Sequence, residues 1–264
     1  MFLSEAEQEL SAAYLKQGYV IQPVADVEAL TWIRTQIINL IVANLEINSQ
    51  QYPDELLLNS IHEHVSVAQL NDFRLSIIRE MNTQPLFRLM YFRVAKPYLE
   101  TLVGNELSMQ LRVNFSIQYP GDNSSLLPVH ADTWSGDSPF EVVVWLPLVD
   151  CYGTKAMYIL PPPASVSLNS EFKARAGSSS EDLYHAIALD IRWLSVKYGE
   201  VLLFNQGLPH GNRINQESET RWSMNCRFKG VFTPYGDKKI GEFFEPITLR
   251  AASQAGMKYN LPQL

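Results

Sequence analysis

The spacing of apolar residues divides the chain into two parts. Up to about residue 104 they recur every three or four positions, which is typical of amphipathic helices. This pattern predicts helices over residues 5–17, 26–45, 54–81 and 85–102. Asp26 is expected to cap the second helix and Pro97 to kink the last. We therefore expect residues 1–104 to form a mainly helical layer.

Beyond Gly104 apolar and polar residues alternate, which is the period of a β-strand. Prolines 161–163 end one predicted strand, and the polar, serine-rich residues 163–190 are expected to form a long loop excursion with some helix. Helices followed by many short strands predict an α+β fold with a helical layer on a β-sandwich or barrel. The strands are predicted at 111–119, 141–148, 156–160, around Trp193, 200–205 and 220–232.

Composition agrees with a single globular domain over residues 1–264. Of the 264 residues, 46% are hydrophobic and 19% are charged, the balance of a protein with an ordinary core. Within this domain we expect a β core at 105–235 and a C-terminal tail at 236–264. Cys151 and Cys226 lie in apolar surroundings, which favours buried free thiols and a cytoplasmic location over a disulfide.

The charge pattern excludes some partners. Acidic residues outnumber basic ones by 28 to 21, and no basic stripe suitable for nucleic acid is present. The acidic N-terminal segment does not resemble a signal peptide, and no apolar run reaches the length of a membrane span. We therefore expect a small-molecule substrate and neither a nucleic acid nor a membrane as partner. Oligomeric state stays open.

A candidate metal site lies in the second half of the chain. Side chains two apart on a strand point to the same side, so His130 and Asp132 could face one point. His210, on a neighbouring strand, would complete two imidazoles and a carboxylate. This set with open coordination positions is typical of non-haem Fe(II) oxygenases. Each histidine alone would more often be an ordinary structural residue, so the assignment needs support from elsewhere in the chain.

The strand after His210 supplies that support. Its polar residues alternate with apolar ones, and a similar polar face occurs on 111–119. Such a face could lie in solvent, but we favour the interior of a barrel, where an arginine fork and a hydroxyl could hold a carboxylate. The polar set is Arg221, Ser223, Asn225 and Arg227, and the apolar set is Trp222, Met224, Cys226 and Phe228.

Together these motifs resemble the Fe(II)- and 2-oxoglutarate-dependent oxygenase superfamily over residues 110–232. In that family an H-X-D motif is followed by a distal histidine and an R-X-S motif. The resemblance implies a double-stranded β-helix (a jelly-roll or cupin-like barrel), Fe(II) bound by His130, Asp132 and His210, and 2-oxoglutarate held by Arg221 and Ser223. Dioxygen is the implied oxidant. A carboxylate at Asp132 favours hydroxylation or a related oxidation over halogenation.

Residues 145–162 are similar to the phytanoyl-CoA hydroxylase-like branch. This similarity implies that Trp145 and Met157 lie beside the cosubstrate, where we also place the polar Gln118 and Asn225. Thr154-Lys155 stands where the branch has Asn-Gly, and 161–165 replaces its Gly-Ser-His. Residues 133–150 also resemble a subgroup encoded sporadically in bacterial carbohydrate and aminoglycoside gene clusters.

The expected reaction is oxidation of a C–H bond in a small molecule such as a sugar or another specialised metabolite. Trp134, Asn114 and Lys155 are candidate substrate residues, with loop packing or solvent exposure as the competing interpretation. A zinc hydrolase would need a nearby carboxylate base, and none stands at a diagnostic spacing. A non-catalytic cupin-like binding protein would not need the triad. A cupin dioxygenase independent of 2-oxoglutarate would usually show a His-X-His cluster.

Overall fold

The computed structural model describes residues 2–45, 53–175 and 177–260. Its helices and strands follow in chain order. The helices are α1 (Glu5–Gln17), α2 (Val27–Leu45), α3 (Asp54–Asn59), α4 (Val67–Thr83), α5 (Phe87–Arg93), α6 (Lys96–Leu102), α7 (Pro162–Glu171), α8 (Ser180–Ile187) and α9 (Ala251–Met257). The strands are β1 (Tyr19–Pro23), β2 (Leu107–Gln110), β3 (Asn114–Gln118), β4 (Glu141–Pro147), β5 (Tyr158–Ile159), β6 (Arg192–Trp193), β7 (Glu200–Asn205), β8 (His210–Gly211), β9 (Arg221–Gly230) and β10 (Phe244–Pro246).

Helices α1 and α2 confirm the periodicity of the N-terminal part. Asp26 caps α2 as expected, because its Oδ1 accepts a hydrogen bond from the Ala29 N–H at 2.9 Å. The single helix predicted over 54–81 is wrong. Ser66 and Gln69 form a reciprocal capping box that begins α4, after a 3₁₀ turn at Ile61–Glu63. The Ser-X-X-Gln pattern carried this signal.

The last predicted N-terminal helix is also divided. It forms α5 and α6, and Pro97 lies in the first turn of α6 instead of kinking a continuous helix. The first turn tolerates proline because its N–H groups have no partner within the helix. Helices α2, α4 and α5 pack against one another and form most of the helical layer.

Two antiparallel sheets form the β part. The larger has the order β1-β7-β4-β9-β2-β10, with β3 also paired to β9, and the smaller has the order β6-β5-β8. Strands β1 and β10 lie in the predicted helical layer and the predicted tail. The sequence does not reveal them because they are short and their pairing partners, β7 and β2, are remote in the chain.

The two faces of β9 have different neighbours. Its apolar side chains are fully buried under the helices, with Trp222 against Phe73 at 6.4 Å and Phe228 against Phe92 at 6.2 Å between ring centroids. The Trp222 indole Nε1 donates to the Leu58 carbonyl at 2.6 Å. The apolar face lies under the helical layer, so the polar face points away from it.

The excursion at 163–190 is more helical than its serine-rich sequence suggested. Helices α7 and α8 pack Leu168 and Ile187 against Tyr158 and Leu160, which makes a second small core. The small sheet is therefore covered on one side by this segment. No helix in the described ranges is long and apolar enough to cross a bilayer.

Candidate metal centre

The two histidines lie side by side on adjacent extended segments. His210 begins β8, and His130 pairs with it through two backbone hydrogen bonds of 3.1 and 2.8 Å. The ring centroids are 4.3 Å apart. Backbone pairing therefore brings together two imidazoles that are remote in sequence.

Asp132 reaches the histidines in a different way from the one expected. Ala131 is still extended, but Asp132 begins a 3₁₀ turn over Asp132–Ser135, so the strand ends one residue earlier than the argument from alternation required. The carboxylate nevertheless lies beside the imidazoles. One ligand atom from each of His130, Asp132 and His210 lies within 4.8 Å of the others.

Hydrogen bonds to the backbone involve the Nδ1 of each histidine and leave each Nε2 available to a metal. The Nδ1 of His130 lies 2.8 Å from the Pro128 carbonyl, and that of His210 lies 2.9 Å from the Leu208 carbonyl. Since a carbonyl only accepts, each Nδ1 carries the proton and each Nε2 keeps its lone pair. Burial, together with the neighbouring His130, lowers the pKa of His210 to about 4. His210 is therefore neutral near pH 7, the state that binds a metal.

A cavity of about 70 Å³ lies next to this centre, between the two sheets. It contains His210 together with the R-X-S pair predicted to hold a carboxylate. Trp145, Met157 and Asn225, three further predicted site residues, also line it. The full lining is Ser116, Leu127, Trp145, Met157, Phe204, His210, Gly211, Asn212, Arg221, Ser223 and Asn225.

Arg221 is a buried cation whose hydrogen bonds go to neutral groups. Its side chain donates to the Ala156 carbonyl at 3.3 Å and to the Ser116 hydroxyl at 3.0 Å, and its Nε has no hydrogen-bond partner among the residues that the structure describes. Within the described residues no carboxylate pairs with it. Burial lowers the pKa of Arg221 to about 10, so the group stays charged at neutral pH. A buried charge of this kind is costly unless an anion neutralises it, which fits the carboxylate of a ligand.

The fold of this chain is similar to the folds of several solved structures. No family model matches the chain, and no curated protein matches it in sequence. Solved structures do match. The fold is similar to a non-haem monooxygenase, ThoJ, in its nickel complex, with a TM-score of 0.56, 13% identity, and coverage of 92% of this chain and 85% of that one. It is also similar to EctD from S. alaskensis with 2-oxoglutarate and 5-hydroxyectoine, with a TM-score of 0.56, 16% identity, and coverage of 88% and 78%.

A third similar structure is SnoK, an α-ketoglutarate-dependent carbocyclase from nogalamycin biosynthesis. The TM-score is 0.51 at 16% identity, over 94% of this chain and 97% of that one. The chain has the fold of non-haem, 2-oxoglutarate-dependent enzymes. Identities this low establish the shared fold, and the chemistry depends on the side chains described above.

Within this fold a second hydroxyl, that of Ser116, lies next to Arg221. Ser223 lines the cavity, but the side chain that accepts from the guanidinium is Ser116, which stands opposite Ser223 in the β3–β9 register. Ser116 lies on the predicted polar face of its strand. Its role depends on the pairing of two strands, which no local motif encodes.

The remaining predicted site residues do not line the cavity. Gln118 donates to the Arg213 carbonyl at 2.6 Å, and Asn114 donates to Asn225 at 2.8 Å. Trp134 is 37% exposed and packs in a tilted arrangement against Phe172 of the excursion, at 4.8 Å between centroids.

Lys155 is likewise engaged elsewhere. Its ammonium is fully buried and pairs with Glu219 at 2.7 Å and with Asn59 at 2.9 Å. A cation held in this way is not available to a substrate. The sequence suggested a turn lysine within reach of a ligand because Glu219 and Asn59 are far from it in the chain.

Proposed function

We propose that this protein is an Fe(II)- and 2-oxoglutarate-dependent oxygenase that oxidises a C–H bond of a small molecule. The observation that carries the proposal is the unpaired, buried Arg221 in a cavity that also contains His210 of the metal centre. A His-Asp-His set alone suits several divalent metals. A 2-oxoglutarate-dependent oxygenase needs an unneutralised cation beside the metal to bind a dicarboxylate, whereas a zinc hydrolase does not need one.

The residues have distinct roles in this proposal. His130, Asp132 and His210 would hold the iron, since both imidazoles keep a free Nε2. Arg221, with Ser116 and Ser223, would bind the distal carboxylate of 2-oxoglutarate through charge-assisted hydrogen bonds. When bound, iron and 2-oxoglutarate together use dioxygen to oxidise the substrate, and 2-oxoglutarate leaves as succinate and carbon dioxide.

The cavity walls serve to exclude water. Trp145 and Met157 are buried and apolar, and both line the space that the cosubstrate would occupy. A dry site strengthens the attraction between Arg221 and a carboxylate, because the local dielectric is low.

The positions of Trp145 and Met157 also support assignment to the phytanoyl-CoA hydroxylase-like branch. We also infer that the two sheets form a double-stranded β-helix within one domain over 1–264.

The substrate is proposed to be a sugar or another specialised metabolite, and the outcome to be hydroxylation. The fold alone does not decide the outcome, since ThoJ is named a monooxygenase and SnoK a carbocyclase. The presence of a carboxylate at Asp132 supports hydroxylation over halogenation.

Both cysteines are buried free thiols, in keeping with the predicted cytoplasmic location.

An anaerobic titration tests the function. We expect the protein to bind one Fe(II), and addition of 2-oxoglutarate to produce a weak visible charge-transfer band. The Arg221→Ala variant should require far more 2-oxoglutarate for the same band. Arg250→Gln, which changes an arginine that is exposed on the surface, serves as the matched control.

Two outcomes would contradict the proposal. One is the absence of the band at saturating Fe(II) and 2-oxoglutarate. The other is a zinc-loaded protein that hydrolyses test esters or amides while the iron-loaded protein forms no succinate in air.

A further inference from the structure

Arg227 shares a strand and a face with Arg221, but its surroundings differ. Its Nη2 lies 2.8 Å from Asp132 Oδ2, and its Nε lies 3.2 Å from the same oxygen. Both contacts therefore converge on one carboxylate oxygen. The other, Oδ1, lies 3.5 Å from the Nε2 of His130, on the side of the metal centre.

Gln206 holds this pair in place. Its amide Nε2 donates to Glu141 at 2.7 Å and to the Ser138 carbonyl at 3.1 Å, so its Oε1 is directed at the Nε of Arg227, 2.9 Å away. The backbone carbonyl of Gln206 also accepts from the Asp132 N–H at 3.0 Å. One residue thus positions both the carboxylate and the guanidinium.

The guanidinium is held from its other side as well. Its Nη1 donates to Gln110 Oε1 at 3.3 Å, and its Nε lies 3.6 Å from Asp137 Oδ1. The side chain is only 14% exposed. Arg227 is therefore restrained on several sides and would not follow Asp132 if the carboxylate rotated.

We propose that Arg227 is a positioning residue that restricts Asp132 to binding the metal through one oxygen, and so keeps a coordination position open for 2-oxoglutarate. This inference rests on the proposed function. A carboxylate can bind a metal through one or both oxygens. With Oδ2 held by two N–H groups, only Oδ1 would be available to the metal, and 2-oxoglutarate could bind where Oδ2 would otherwise be.

The substitution Arg227→Gln tests the proposal by separating two affinities. Loss of the cation frees Oδ2, so the metal keeps or gains a ligand atom while 2-oxoglutarate must compete for its position. We expect the dissociation constant for Fe(II), or for Co(II) as an air-stable probe, to change by less than about threefold. The constant for 2-oxoglutarate should rise by about tenfold, which corresponds to Oδ2 occupying the required position about nine-tenths of the time.

Arg227→Lys and Arg250→Gln complete the series. A lysine keeps the charge but cannot direct two N–H groups of a planar fork at one oxygen, so we expect an intermediate affinity for 2-oxoglutarate. Arg250→Gln should leave both affinities unchanged. Anaerobic titration of the metal, followed by titration of 2-oxoglutarate on its charge-transfer band, gives both constants, and thermal unfolding checks that each variant is folded.

Several results would overturn the inference. An unchanged 2-oxoglutarate affinity in Arg227→Gln is one, and an equal loss of metal and 2-oxoglutarate affinity, as expected of a purely structural residue, is another. If Arg227→Gln does not fold, an unchanged affinity in Arg227→Lys counts against the inference in the same way. A wild-type protein that binds Fe(II) but gives no 2-oxoglutarate band would instead overturn the proposed function, and this inference with it.

Discussion

Buried Arg221 and partly buried Arg227 lie on the same face of β9 but have opposite electrostatic surroundings. Arg227 pairs with Asp132 and lies close to Asp137, whereas the hydrogen bonds of Arg221 within the described residues go to the neutral oxygens of Ala156 and Ser116. A protein stabilises a buried charge by pairing it, so the unpaired Arg221 marks where an external anion would bind. The partners of an arginine inside the protein therefore indicate whether it orients a protein group or binds a ligand.

The largest effect is expected where the paired arginine loses its partner. Asp132→Ala removes one of three metal-binding side chains and takes from Arg227 the closer of the two carboxylates that it contacts. We expect metal affinity to fall by at least about 100-fold, with loss of succinate formation coupled to substrate. Metal content after dialysis and succinate release measure the two effects.

The matched control for that variant is Asp190→Ala, at an exposed position of the excursion. Its metal content and succinate yield should equal those of the wild type. Undiminished succinate formation by Asp132→Ala would remove Asp132 from the metal centre and make its pairing with Arg227 merely structural.

Removal of the unpaired arginine should give the next largest effect. Arg221→Ala eliminates the cation that would bind the distal carboxylate, and loss of such a charge-assisted contact corresponds to about 100-fold weaker binding of 2-oxoglutarate. Metal content should stay close to that of the wild type. Ser116→Ala, which removes one neutral acceptor of Arg221, should weaken 2-oxoglutarate binding only a few-fold.

The Arg221 variant also tests whether Arg221 and Arg227 have different roles. If Arg221→Ala lost metal affinity and 2-oxoglutarate affinity to the same extent, Arg221 would support the site structurally and would not be the group that binds the cosubstrate. Equal effects of Arg221→Ala and Ser116→Ala on the apparent KM for 2-oxoglutarate would show that the charge is unimportant.

The smallest effect is expected on the opposite face of β9. Trp222→Phe keeps the aromatic packing against Phe73 but removes the hydrogen bond to the Leu58 carbonyl. We expect a loss of about 1 kcal/mol in the free energy of unfolding, measured in urea. Both ligand affinities should be unchanged. A weaker 2-oxoglutarate affinity at full stability would show that the two faces of the strand are not independent.

Much of the fold could be predicted from local patterns. The capped helix α2 and the alternation along β9 follow from periods of 3.6 and 2, which depend on neighbours in the chain. The short strands β1 and β10 could not be found in this way, because each is defined by its pairing with a distant strand. The turn at Asp132 was missed because a strand pattern does not show where the strand ends.

The candidate site was likewise predictable where it depends on local sequence and not where it depends on contacts between distant residues. The residue types and their order, with His130, Asp132 and His210 followed by Arg221, were apparent from the chain alone, because the required chemistry limits which side chains can serve. Tertiary structure decided which groups these residues meet. In the folded chain Arg227 pairs with Asp132, and Ser116 lies beside Arg221. Lys155 forms an ion pair with Glu219 and is not available to a ligand. Such contacts join residues far apart in sequence, so only the folded chain determines which charge is neutralised and which is left for a ligand.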